Sequence, residues 1–126
     1  MEDGSSAARP DYSVVVPCFN EEAGLEATVE SIRGAIAGEA TELVVVDDGS
    51  TDSTAARLEA MASDPRNDGW LRVVRHRHNR GYGAAVKSGV RAARSDTVVI
   101  IDADGTYPPE HIPGLVAELA TADMVV

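Results

Sequence analysis

The stretch "VVIIDADGTYPPE", residues 98–110, sets the terms on which the chain is read. A β-branched run leads straight into Asp102, and Asp104 follows after one small residue. A short apolar run without polar alternation marks a strand covered on both faces. The prolines at 108 and 109 suit the first turn of a helix. The stretch therefore reads as a strand (97–102), an acidic turn and the start of a helix (108–120). Two chemistries place paired carboxylates at such a strand end. In one, the first carboxylate is a nucleophile and the second a general acid. In the other, the pair holds a metal ion on a diphosphate. The local residues fit both, so the neighbouring segments decide.

The same unit recurs upstream. "YSVVVP" (12–17) is a β-branched run closed by a proline, and "ELVVVDD" (42–48) is a second apolar run ending in acids. "WLRVVR" (70–75) is a third strand, and "DMVV" (123–126) begins a fifth. Between strands, Leu25, Val29, Ile32 and Ile36 recur at helical spacing, with Asn20 placed as a cap and Gly38 as a stop. A second helix spans about 52–63, after a "GSTDST" turn rich in capping oxygens. A third follows the glycine-rich entry "NRGYG" and offers Ala85, Val86, Gly89, Val90 and Ala93 as a small inner face that allows close approach to a sheet. The fourth carries Ile112, Leu115, Val116 and Leu119. Alternating strands and helices predict an α/β fold: a three-layer, Rossmann-like sandwich with a mainly parallel sheet. Right-handed crossovers favour the strand order 3-2-1-4, with a ligand-binding switch point between strands one and four.

The totals narrow the function classes. With 126 residues there is room for one domain: a disordered lead over 1–10 and a folded part over 11–126. Apolar residues at 44% and charged residues at 25% are ordinary for a soluble protein. A net charge of -10 argues against nucleic acid as a partner, since phosphate backbones need basic surface. Cys18 is alone, which excludes an internal disulfide and fits a reducing, cytoplasmic setting. The acidic start lacks a secretory signal's apolar core, and no run approaches the ~20 residues of a membrane helix.

Three strand ends carry Glu21, Asp47, Asp48, Asp102 and Asp104 at one predicted rim. Crowded like charges raise one another's pKa, so the cluster makes sense if a divalent cation, Mg2+ or Mn2+, completes it. Singly, "DDGS" is a strand-to-helix turn and "FNEE" a favourable charge at a helix start. "GYG" is a weak fragment of a dinucleotide fingerprint. His76 and His78 in "RHRHN" read as loop decoration, His111 as surface, Lys87 as solvated and Cys18 as a packed residue beside the site.

Taken in order, "VVVPCFNEE", "ELVVVDDGSTDST", "NRGYGAAVKSGVRAA" and "IIDADGTYPPE" resemble the successive motifs of family 2 glycosyltransferases of the GT-A fold. The branch they most resemble is that of polyprenyl-phosphate and dolichyl-phosphate sugar transferases, over roughly residues 12–126. The resemblance implies a nucleotide-sugar-binding part. Pro17, Phe19 and Glu21 would line the base and ribose pocket. Val46 and Asp48 would contact the base, Asp48 accepting from a ring N–H. Ala103 would lie against the ribose. Asp102 and Asp104 would be the Asp-x-Asp pair, binding metal and assisting departure of the nucleotide. Thr106 stands where some relatives carry a metal-assisting glutamine, and is a weaker ligand. The donor would be a UDP- or GDP-linked sugar, and the acceptor a lipid phosphate at the cytoplasmic face of a membrane. Transfer would invert the anomeric centre. In that family a later part of the chain supplies acceptor contacts and any general base. The 126 residues therefore read as truncated after about five strands, able to bind without transferring, with an exposed last strand through which two copies could pair.

Rival readings demand residues in other places. A haloacid-dehalogenase-type phosphatase using "DADGT" needs that motif on strand one and a later lysine, and no lysine follows Asp104. A receiver domain wants its acidic pair after strand one. A nucleotidyltransferase wants a basic, glycine-rich loop where "PCFNEE" stands. A non-catalytic nucleotide-binding or assembly module is the remaining alternative.

Overall fold

A computed structural model describes residues 9–104 and 108–119. The strands are β1 (Tyr12–Cys18), β2 (Thr41–Asp47), β3 (Leu71–Arg75) and β4 (Val98–Ile100). All pair in parallel, in the order β3-β2-β1-β4 anticipated from the sequence. The helices are α1 (Leu25–Ala35), α2 (Thr54–Ala62), α3 (Tyr82–Ala92) and α4 (Ile112–Leu119), with 3-10 turns at Pro65–Asn67 and Pro109–His111. The anticipated fifth strand and Thr106 lie outside the described residues. The described residues begin within the anticipated lead. Pro10 is buried, and the Arg9 guanidinium donates to the Arg94 carbonyl at 2.9 Å.

Strand alternation makes the layers. Val14, Val16, Leu43 and Val45 point to one face, where they pack with Leu25, Val29 and Ile32 of α1, Leu58 of α2 and Ile112 of α4. Val15, Val44 and Val46 point to the other, beneath Ala85 of α3. Each of these aliphatic side chains contributes roughly 1.5–3 kcal/mol by leaving water. Helix α3 presses so close that a Cβ on Gly89 would sit 2.3 Å from Val15 Cγ1 and 3.1 Å from Val46 Cγ2. The close approach expected from the small inner face is thus carried by Ala85 and Gly89. Val90, expected on that face, is 45% exposed instead, because Ala85 and Gly89 turn it outward.

One buried charge ties the sheet's margins together. Glu42 on β2 is fully buried, and its carboxylate accepts from Ser13 Oγ at 2.7 Å and Arg72 Nη1 at 3.1 Å. It also accepts from the Arg94 backbone at 2.5 Å and from Arg94 Nε at 3.0 Å. Burial pushes this carboxyl up, but the four donors outweigh burial and hold it below the usual carboxylate range.

Candidate functional site

The cleft opens where β1 and β4 part, and Pro17 helps part them. Ser13 on β1 donates its N–H toward β4, to the Thr97 carbonyl at 2.9 Å. Pro17 has the same parity along the strand, so the N–H it lacks is one that would have continued that ladder. Pairing to β4 stops at Val15–Ile100, shorter than the anticipated strand, while β1 and β2 stay paired to Cys18–Asp47. A cavity of about 400 Å³ fills the gap beyond the strand ends. Pro17, Phe19, Glu21, Asp48, Asp102, Ala103 and Asp104 all line it, as do Gly81 and Tyr82 from the start of α3. Val46 does not. It is fully buried beneath α3, on the sheet side of the cleft floor.

The adjacent aspartates at the end of β2, Asp47 and Asp48, divide their work. Asp47 is fully buried and turns away from the cleft. Its Oδ1 accepts from the Ser50 backbone at 3.0 Å, and its Oδ2 lies 3.6 Å from Arg75 Nε. Asp48 turns toward the cleft and is 4% exposed. Its Oδ1 accepts from His76 Nδ1 at 2.7 Å and the Arg80 backbone at 2.9 Å, and its Oδ2 from the Gly81 backbone at 2.9 Å. Burial pushes this carboxyl up, but the His76 and backbone donors win and hold it below the ordinary range. A carboxylate can accept about four hydrogen bonds, so one acceptor position remains for a ligand. Gly49 makes this closure possible. Its φ is +75°, and a Cβ there would lie 2.4 Å from the backbone of His78 and Asn79.

The sequence reading missed His76. It is 6% exposed, not loop decoration, and its Nε2 lies 2.7 Å from Ser88 Oγ on α3. His76 keeps the parity of Val74, which packs on the α3 side of the sheet, and so turns inward; the chain then bends at 77–78, which breaks the alternation and leaves His78 exposed. Asn20 was also misplaced. With φ +54°, it does not cap α1, whose N-cap is Gly24. Its Oδ1 accepts from the Thr51 backbone at 2.8 Å and the Asp52 backbone at 3.3 Å, joining the first acidic turn to the second.

On the far wall Asp102 and Asp104 are exposed, with Ala103 buried between them. The Ala103 carbonyl accepts from Thr28 Oγ1 at 3.2 Å, which fixes the turn. The Tyr82 hydroxyl donates to Asp102 Oδ1 at 3.0 Å, across the cleft mouth. Its pKa is raised, first by burial and then by that carboxylate. The donor set suits a hard cation: two carboxylates on one wall of one cleft. Among the described residues no three His, Cys, Asp or Glu side chains group as ligands, so the five acids do not form one cluster. A Mg2+- or Mn2+-type site with one or two carboxylates and substrate phosphates fits that arrangement. Cys18 lines the same cleft, and burial, with Asp47 and Glu21 adding, pushes its thiol up to about 12.

Residues 13–126 match the profile described as Glycosyl transferase family 2. A dolichol-phosphate mannosyltransferase of Mycosarcoma maydis is 33% identical over 121 residues, which is 91% of this chain and 40% of that protein. An undecaprenyl-phosphate 4-deoxy-4-formamido-L-arabinose transferase of Pseudomonas paraeruginosa is 43% identical over 118 residues, 90% of this chain and 34% of that one. The chain therefore spans 40% or less of these relatives' length. Among solved structures, a Pyrobaculum calidifontis mannosyltransferase in complex with GDP-Man and Mn2+ superposes with a TM-score of 0.76 at 31% identity, covering 89% of this chain and 33% of its own. Glucosyl-3-phosphoglycerate synthase from Mycobacterium tuberculosis, in complex with Mn2+, UDP and phosphoglyceric acid, gives 0.70 at 35% identity, covering 93% and 41%.

Proposed function

The chain belongs to glycosyl transferase family 2, and from that membership we propose that its cleft binds a nucleoside-diphosphate sugar for transfer to a polyprenyl phosphate. The observation that carries the reading is the meeting of three strand ends on one cavity. Phe19, Glu21, Asp48, Asp102 and Asp104 line it together at the switch point of the sheet. The solved relatives bound to GDP-Man with Mn2+ and to UDP with Mn2+ support the ligand class. The lipid-phosphate relatives support the acceptor class.

In this reading each residue has a physical task. Phe19 is 42% exposed and offers an apolar face to the base. Asp48, held by His76 and two backbone N–H groups, keeps one acceptor position for a ring N–H. Asp102 and Asp104 would hold the divalent cation, which when bound meets the charge growing on the departing diphosphate. Tyr82 positions Asp102 through its hydroxyl. The acceptor attacks opposite the leaving group, so the anomeric centre inverts. A lipid phosphate is already an anion, which lightens the demand for a general base.

Calorimetric titration with UDP, GDP and p-nitrophenyl phosphate, with and without Mn2+, tests the reading. The expected result is metal-dependent binding of one nucleoside diphosphate, abolished by Asp104→Ala. Turnover of the phosphate ester, or nucleotide binding indifferent to Asp104→Ala, would overturn it.

A further inference from the structure

The chain's charge is strongly segregated. Between Asp68 and Asp96 there is no acidic residue, yet seven of the eleven Lys and Arg fall there. This segment is β3, the glycine-rich turn and α3. Three of these cations, Arg72, Arg75 and Arg94, pair with the buried Glu42 and Asp47, but the other four do not. Arg77, Arg80, Lys87 and Arg91 are exposed, and none forms an ion pair among the described residues. Lys87, Val90 and Arg91 fall at i, i+3 and i+4 on the outward face of α3. Val90 is 45% exposed there, and Tyr82, at the start of the same helix, 59%.

From this we infer that the outer face of α3 is an electrostatic docking surface for an anionic lipid bilayer. Three observations select that occupant. Clustered cations attract acidic headgroups over roughly a Debye length, even on a molecule of negative net charge. The exposed Val90 among the cations suits a headgroup boundary, where apolar bodies with polar neighbours settle. The first turn of α3 is also a wall of the cleft, through Gly81 and Tyr82. A bilayer against α3 therefore lies beside the cavity mouth, where a lipid-borne phosphate would have to arrive. The inference rests on the proposed lipid-phosphate acceptor for its purpose, and adds which face meets the lipid.

The test is co-sedimentation of the 126-residue chain with phosphatidylcholine vesicles, with and without phosphatidylglycerol, at low and high salt. Binding is expected only with phosphatidylglycerol and is released by salt. The double variant Lys87→Glu/Arg91→Glu should weaken partitioning by about tenfold or more. The control Arg57→Glu/Arg66→Glu makes the same change in net charge away from α3, and should retain most of the binding. Equal losses in both variants, binding indifferent to phosphatidylglycerol, or tighter binding to a single-stranded oligonucleotide would each overturn the inference. Nucleotide titration of the same variants separates the two proposals. Docking without nucleotide binding sinks the donor-site reading alone, and nucleotide binding without docking sinks this one.

Discussion

Gly89→Ala pits two effects of opposite sign against each other. In an exposed helix interior the substitution stabilises by about 1 kcal/mol, because glycine is the poorer helix former. Here the added methyl would meet Val15 Cγ1 at 2.3 Å, with Val46 Cγ2 at 3.1 Å and Val15 Cγ2 at 3.3 Å. Carbon atoms at rest lie roughly 3.5–4.0 Å apart. The contact must therefore open by more than an ångström. Val15 cannot yield easily, since it is fully buried in a strand paired on both sides. Overpacking a tight core costs about 1–3 kcal/mol, and this overlap belongs at the upper end. The expected net effect is a loss of about 2 kcal/mol, or roughly 1 M in the urea midpoint. Gly83→Ala in the same helix is the control. Its Cβ meets nothing within 4 Å, so a gain of about 0.5 kcal/mol is expected. Urea unfolding of both variants measures the contrast. A Gly89→Ala protein as stable as the parent would mean that α3 does not lie on Val15 and Val46. The packing that sets Gly81 beside Asp48 would then be wrong too.

Other consequences are quick to check. Cys18 should resist iodoacetamide at pH 8 in the folded chain and react once urea unfolds it, since burial and nearby carboxylates push its thiol up to about 12; rapid labelling of the native protein would contradict its placement. Asp48 and Glu42 both titrate lower in the fold than free, so their stabilisation is complete above about pH 4.5 and drains as the pH falls below that. Asp48→Asn with Glu42→Gln should flatten that acid limb in urea midpoints measured against pH, and an unchanged limb would assign acid loss to other groups. Gly49→Ala should cost about 2 kcal/mol or more by thermal melting, because its φ of +75° and the His78–Asn79 backbone both oppose a Cβ; a neutral result would mean the two loops are not in contact.

Much of this architecture was legible because its causes are local. Uninterrupted β-branched runs say strand, and acids at their ends say rim. The order β3-β2-β1-β4 is then the commonest of the few that right-handed crossovers allow. Two of the failures concern which face a residue takes, which local pattern leaves open. In "AAVKSGVRAA" two small stripes overlap, one through Ala85 and Gly89 and one through Val86 and Val90. Only the fit of Gly89 against Val15 selects the first. The two histidines of "RHRHN" share a parity and look equivalent, but only His76 follows β3 directly and keeps Val74's inward face, while the bend at 77–78 leaves His78 exposed. Carrying that count one residue past the strand would have found His76. No local signal announces Glu42, whose donors come from Ser13, Arg72 and Arg94, far apart in sequence.

The same parity explains why five acids at one rim do not become one ligand cluster. Neighbours on a strand point to opposite faces, so Asp47 and Asp48 cannot both enter the cleft. Asp47 goes under the turn, where the Ser50 backbone and Arg75 meet it. Asp48 goes over, where it joins the end of β2 to the start of α3. Asp102 and Asp104, with one residue between them, share a parity and line the cleft together. Only that pair lies close in sequence, shares one wall and is exposed, as a site completed by a substrate's phosphates requires. Asp48 acts differently, because three of its acceptor positions are already filled from within. Removing it would loosen α3 as well as the proposed base contact, whereas removing Asp104 should cost the proposed ligand binding with little cost in stability. That asymmetry makes Asp104 the cleaner probe of function and Asp48 the cleaner probe of how the cleft is built.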